Sequence, residues 1–66
     1  MLLNVEYVHG LLMKKGWSER NLALKSGLSS ATISRVMSGK RGAGARTMTG
    51  IRKAFPDEPL EKLFFR

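Results

Sequence analysis

Four positions that stop helices, Gly16, Gly27, Gly39 and Pro56, constrain the fold of this chain more than any other feature. Each follows a run whose apolar residues recur at helical spacing. Over residues 4–15 these are Val5, Val8, Leu11 and Leu12, and the run ends in Lys14, Lys15 and Gly16, which suit a helix C-terminus. Trp17 follows as a core anchor beneath the turn. Ser18 is an N-cap for a second helix, Glu19 favours its positive end, and Leu22 and Ala23 are its buried positions. That helix stops at Gly27 after barely two turns.

A third helix starts with Ser29 or Ser30 as its cap and runs to about Met37, with Gly39 as a left-handed stop. A fourth, over about residues 46–55, places Met48, Ile51 and Phe55 on one stripe. Pro56 ends it, because the residue before a proline is pushed out of the helical region. A fifth, from Glu58 or Pro59 to Phe65, offers Leu60, Leu63 and Phe64 to the core, with Phe65 partly exposed. No segment alternates with period two, so no strand is expected. The expected fold class is all-α: a compact five-helix bundle in a single domain over residues 1–66.

With 66 residues the core lies near the lower limit for independent folding. The chain has no cysteine and one histidine, so neither disulfides nor a cysteine or histidine-rich metal site can staple it. No apolar run approaches the roughly 20 residues of a membrane span, and no basic leader precedes the first apolar run. The expectation is a cytoplasmic protein without a membrane partner. A cationic helix lying on a membrane would be long, with a basic face opposite an apolar one. The four breaks argue against it.

The net charge is +7, and ten of the twelve cations fall between Lys14 and Lys53, where Glu19 is the one acid. A basic field concentrated in the middle of a domain suits a polyanion partner. Basic composition alone is also what a solubilising surface gives, so the arrangement of the residues must decide.

That arrangement is a short helix, a tight glycine turn and a second short helix over residues 18–39. Gly27 can take positive φ at no steric cost, and small Ala23 lets the two helices approach. At about 100° per residue, Ser30, Ala31, Ser34, Arg35 and Ser38 share one face of the third helix, opposite Ile33, Val36 and Met37. Any surface helix has a polar face. Serine and alanine, however, are unusual where Glu, Lys and Gln have better helix propensity. Small side chains allow close approach to a major groove, and arginine can reach guanine O6 and N7 together. The hydroxyls of Ser30 and Ser34 can reach bases or phosphates, and Ala31 can press on a thymine methyl.

In "LA" at residues 22–23, "SGLS" at 26–29, "TIS" at 32–34 and "GK" at 39–40, the chain resembles the phage-repressor and Cro-type helix-turn-helix domains, the XRE family. The layout matches over nearly the whole chain, so the resemblance implies a lambda-repressor-like fold. It also implies a recognition helix at about residues 30–37, with Ser30, Ala31, Ser34 and Arg35 facing base edges. Ser18 and, beyond the third helix, Lys40 and Arg41 would hold phosphates. Ser29, Ser38 and Arg20 are further phosphate candidates by their positions. Many members carry glutamine just after the Ser18 position and at the start of the recognition helix. Glu19 and Ser30 or Ala31 stand there instead, and a contact near Glu19 must use backbone N–H groups, Ser18 or Arg20.

The stretch "SGKRGAGAR" over residues 38–46 could pass for a nucleotide loop. A Walker-type loop, however, needs its Gly-Lys before Ser or Thr and between a strand and a helix, and here arginine follows. Arg46 opposes the dipole of the fourth helix, so its charge suits an anion outside the protein. The loop glycines fit a segment that is mobile in the free protein and orders on DNA. His9 has no partner for general-base work, the serines read as caps and short polar contacts, and Asp57, Glu58 and Glu61 are dipole partners at a helix start. No metal, cofactor or small-molecule substrate is expected, and the protein is not an enzyme. The expected function is sequence-specific binding of double-stranded DNA as a transcriptional regulator, most simply a phage or bacterial repressor. The operator would be pseudo-palindromic, with a homodimer forming at least on DNA. The competing reading is a protein-interaction module of the same fold, such as an antitoxin or anti-regulator partner docking at the Phe64–Phe65 end.

Overall fold

In the computed structural model, which describes residues 2–39 and 42–65, local chemistry opens and closes most of the helices. The order is β1 (Leu2–Leu3), α1 (Val5–Lys15), α2 (Glu19–Ser26), α3 (Ser30–Met37), α4 (Ala45–Ala54), α5 (Leu60–Leu63) and β2 (Phe64–Phe65). The side chains of Asn4, Ser18 and Ser29 accept hydrogen bonds from the backbone N–H of Tyr7, Asn21 and Thr32 and so cap α1, α2 and α3. Gly16, Gly27 and Gly39 take φ of 70°, 73° and 73°, the left-handed stops that the sequence indicates. Phe55, at φ −126° and ψ 67°, leaves the helical region ahead of Pro56.

The fold is the expected mostly helical five-helix bundle. Its deepest side chains include one from every helix, Val8, Leu22, Ile33, Ile51 and Leu63, with Phe55 just beyond the end of α4. Fully burying each such side chain is worth about 1.5–3 kcal/mol, and among the described residues no disulfide adds to this. The most extensive contact between elements is that of α2 with α4. Trp17 is half-buried and stacks on Phe55, with ring centroids 5.6 Å apart. The ammonium groups of Lys15 and Lys25 lie 5.2 and 5.6 Å from its ring centroid.

Three expectations are corrected. The fifth helix does not reach Phe65: it ends at Leu63, and Phe64 adopts an extended backbone at φ −134°, ψ 146°. Nor is the chain free of strands, since β1 and β2 pair antiparallel with Leu2 opposite Phe65 and Leu3 opposite Phe64. The Asn4 amide extends this ladder by donating to the Leu63 carbonyl at 2.8 Å. Strand alternation sends Leu3 and Phe64 into the core and leaves Leu2 and Phe65 51% and 53% exposed. Phe65 is exposed as expected, but through the pleat of a strand and not the pitch of a helix.

The buried stripe of α4 also differs from the expected one. Gly50, Ile51 and Ala54 form it, Phe55 adds to it from beyond the helix, and Met48 is half-buried at its margin.

Candidate nucleic-acid interface

The α2–turn–α3 unit owes its shape to a buried serine. The Ser26 hydroxyl donates to the Ala23 carbonyl at 3.2 Å and accepts from the Leu28 amide at 3.3 Å. The Leu28 amide is also within 3.2 Å of the Ala23 carbonyl, so the turn after Gly27 is held from both sides. Ser26 is 4% exposed, and its polar groups are satisfied within the turn itself. Sequence reasoning placed it in a matching motif without giving it this task.

From that turn α3 projects with its two faces sharply divided. Ile33, Val36 and Met37 are buried, whereas Ser30, Ala31, Ser34 and Arg35 are all exposed. The base-facing set expected from the sequence therefore shares one solvent-facing surface. Ser38 is exposed too, and its hydroxyl donates to the Arg35 carbonyl at 2.7 Å.

The structure adds detail to the phosphate set. Ser18 Oγ accepts from the Asn21 backbone N–H at 3.2 Å, and Asn21 Oδ1 accepts in return from the Ser18 backbone N–H at 2.9 Å, which closes a capping box; the Ser18 hydroxyl also donates to Asn21 Oδ1 at 2.9 Å. Ser29 Oγ accepts from the Thr32 amide at 3.1 Å and shares a hydrogen bond with the Thr32 hydroxyl at 2.9 Å. Both hydroxyls thus serve helix starts, and Ser18 has its proton committed. Arg20 and Arg46 are exposed in the first turns of α2 and α4. Lys40 and Arg41 lie outside the described residues.

Two features of this surface escaped the sequence. Ala43, between two loop glycines, is only 6% exposed and joins the core, so the second half of the loop is anchored by a methyl group. A cleft of about 250 Å³ also opens between α3 and the start of α4, lined by Thr32, Arg35, Val36, Gly42, Gly44 and Thr47. It brings Arg35 close to an uncapped helix start, because Gly44 offers α4 no side-chain hydrogen bond. No periodicity in the sequence joins Thr32 to Thr47; only the packing of α4 does.

Among the described residues no group of His, Cys, Asp and Glu is placed to hold a metal ion, and no helix is long and apolar enough to cross a membrane. His9 is exposed on α1. A family model described as helix-turn-helix (HTH_3) matches residues 11–63. No curated protein and no solved structure shows a significant match to the chain.

Proposed function

This chain belongs to the HTH_3 helix-turn-helix family of XRE type, whose domains are DNA-binding regulatory modules and not catalysts, and from that premise we propose that it is a sequence-specific repressor of phage or bacterial type. In this reading the whole chain acts as one DNA-binding domain, and α3 enters the major groove. Ser30, Ala31, Ser34 and Arg35 meet base edges, with Arg35 donating to guanine and Ala31 against a thymine methyl. The observation that carries the proposal is the exposed, short-chained face of α3, held outward because Ile33, Val36 and Met37 fasten its other face in the core.

Phosphate contacts flank that helix. Arg46 stands at the start of α4, where no side-chain cap competes for the free backbone N–H groups. Arg20 takes the equivalent place on α2. Ser18 and Ser29 contribute through their remaining lone pairs and the helix starts that they organise. Ser38, Lys40 and Arg41 complete the set beyond α3. Such contacts fix position on the duplex, while the α3 face supplies sequence preference. A second copy bound symmetrically makes the operator a pseudo-palindrome with half-sites about one helical turn apart.

Selection of sites from random duplex DNA by the full chain tests this directly. Enrichment of one motif, repeated with inverted symmetry, is the expected result. Recovery of unenriched sequence would reduce the reading to non-specific polyanion binding.

A further inference from the structure

The outer face of α4 carries charge that neither the core nor the α3 surface uses. At about 100° per residue, Ala45, Arg46, Thr49, Arg52 and Lys53 fall within an arc of roughly 120°, and all five are exposed. The opposite arc is the buried stripe of Gly50, Ile51 and Ala54. Of its charged residues, only Arg46 lies in the first turn, at the end of α4 nearest the cleft with α3. Arg52 and Lys53 occupy the last turn, at the far end of a helix about 15 Å long.

That far end borders a cavity of about 550 Å³, lined by Arg52 and Lys53 together with Phe55, Pro56, Pro59 and Leu60. A carboxylate, Glu58, also lines it, and Glu58 accepts a hydrogen bond from the Tyr7 hydroxyl. A phosphate backbone has no use for a pocket of prolines and leucine. A peptide can use the whole arrangement: apolar side chains enter between Pro56 and Leu60 while its acids meet Arg52 and Lys53. Both rings of proline and the half-buried Leu60 are already ordered, so little conformational entropy is lost on their side.

We propose that the Arg52–Lys53 end of α4, with the Pro56–Pro59–Leu60 cavity beside it, is a docking surface for an acidic, amphipathic peptide segment of a partner protein. The surface stands apart from the α3 face and does not depend on DNA binding. Trp17 stacks on Phe55, which forms part of the cavity wall, so the single tryptophan reports on occupancy.

The test is a titration of the isotope-labelled full chain with a synthetic peptide of four Glu-Asp-Leu repeats. Two control peptides replace the acids by Gln and Asn, or the leucines by Ser. The expected result is a set of amide shifts centred on Thr49, Arg52, Lys53 and Leu60, with a change in Trp17 fluorescence. Each control peptide, and the R52Q/K53Q variant with the first peptide, should bind about tenfold more weakly. The K14Q/K62Q variant, which loses as much charge at exposed positions outside the cavity lining, should bind as the unaltered chain does. Absence of binding overturns the proposal, as do shifts spread over every basic surface or equal losses in the two variants. Duplex DNA titrated in parallel separates the remaining alternative: if R52Q/K53Q weakens duplex binding as much as peptide binding, the surface belongs to the DNA backbone.

Discussion

Gly50 of α4 and Leu28 of the α2–α3 turn touch so closely that no side chain fits between them. A Cβ built on Gly50 would lie 2.8 Å from Leu28 Cγ and 2.9 Å from the carbonyl oxygen of Ser26. The second contact is backbone and cannot rotate away. The turn that sets the angle of α3 therefore rests on a helix stripped of its side chain at that point.

Gly50→Ala should destabilise the protein by about 1–3 kcal/mol through overpacking, although alanine ordinarily favours a helix interior by roughly 0.5–1 kcal/mol. Gly10 in α1 supplies the contrast, because a Cβ there meets nothing within 4 Å. Gly10→Ala should stabilise by about 0.5–1 kcal/mol. Opposite shifts in thermal midpoint would bear out both assignments; a midpoint that rises in both variants would mean that the Gly50 contact relaxes freely.

Arg35→Ala should cost about 1–3 kcal/mol on the selected DNA site and relax the preference at one base pair. The side chain is exposed, so the thermal midpoint should stay nearly constant. Binding measured across a panel of single-base variants of the site checks this. An unchanged preference would remove Arg35 from the base-reading set.

Arg46→Ala and Lys40→Ala should weaken all duplex sequences alike. Each should reduce the slope of log affinity against log salt by roughly 0.9, the signature of one lost phosphate contact. Titrations at several salt concentrations, on cognate and unrelated duplexes, provide the measurement. A loss confined to the cognate site would reassign the residue to base reading.

Tyr7 ties α1 to the segment before α5 by donating its hydroxyl proton to Glu58. That bond, with burial and the nearby negative charge, raises the Tyr7 pKa above its usual 10.0. The folded protein then holds the proton more tightly than the unfolded chain, so stability falls as pH rises through this range. The contribution should be complete below about pH 10 and lost as pH passes the higher folded value. Denaturant unfolding of the parent chain should therefore show a steeper alkaline loss than that of Tyr7→Phe. Parallel curves would show that the bond contributes nothing to the pH dependence.

The boundaries of α1, α2 and α3 were legible because each rests on chemistry within a few residues. A serine three positions before an amide, or a glycine in the left-handed region, acts in any tertiary setting. The exposed face of α3 was legible for the same reason: a helix of known phase divides Ser30, Ala31, Ser34 and Arg35 from Ile33, Val36 and Met37 without reference to the rest of the chain. Ser18 and Ser29 illustrate the limit of that reasoning. Their cap positions follow from sequence, but the engagement of their hydroxyls with Asn21 and Thr32 needed side-chain geometry.

What the tertiary structure alone decided involves partners distant along the chain. Leu2 and Leu3 become a strand only because Phe65 and Phe64 pair with them, and two residues are too few for an alternating pattern to show. Ala43 and Gly50 look like a loop residue and a weak helix residue until the core closes around the first and Leu28 settles against the second. The sequence by itself determined the spans of α1, α2 and α3, the serine caps of α2 and α3 and the polar face of α3, since hydrogen bonds and periodicity within a turn are local. The closing strand pair, the fit of α4 beneath the turn and the cleft joining Arg35 to Thr47 were decided by folding, because packing acts through space between residues that the sequence keeps apart.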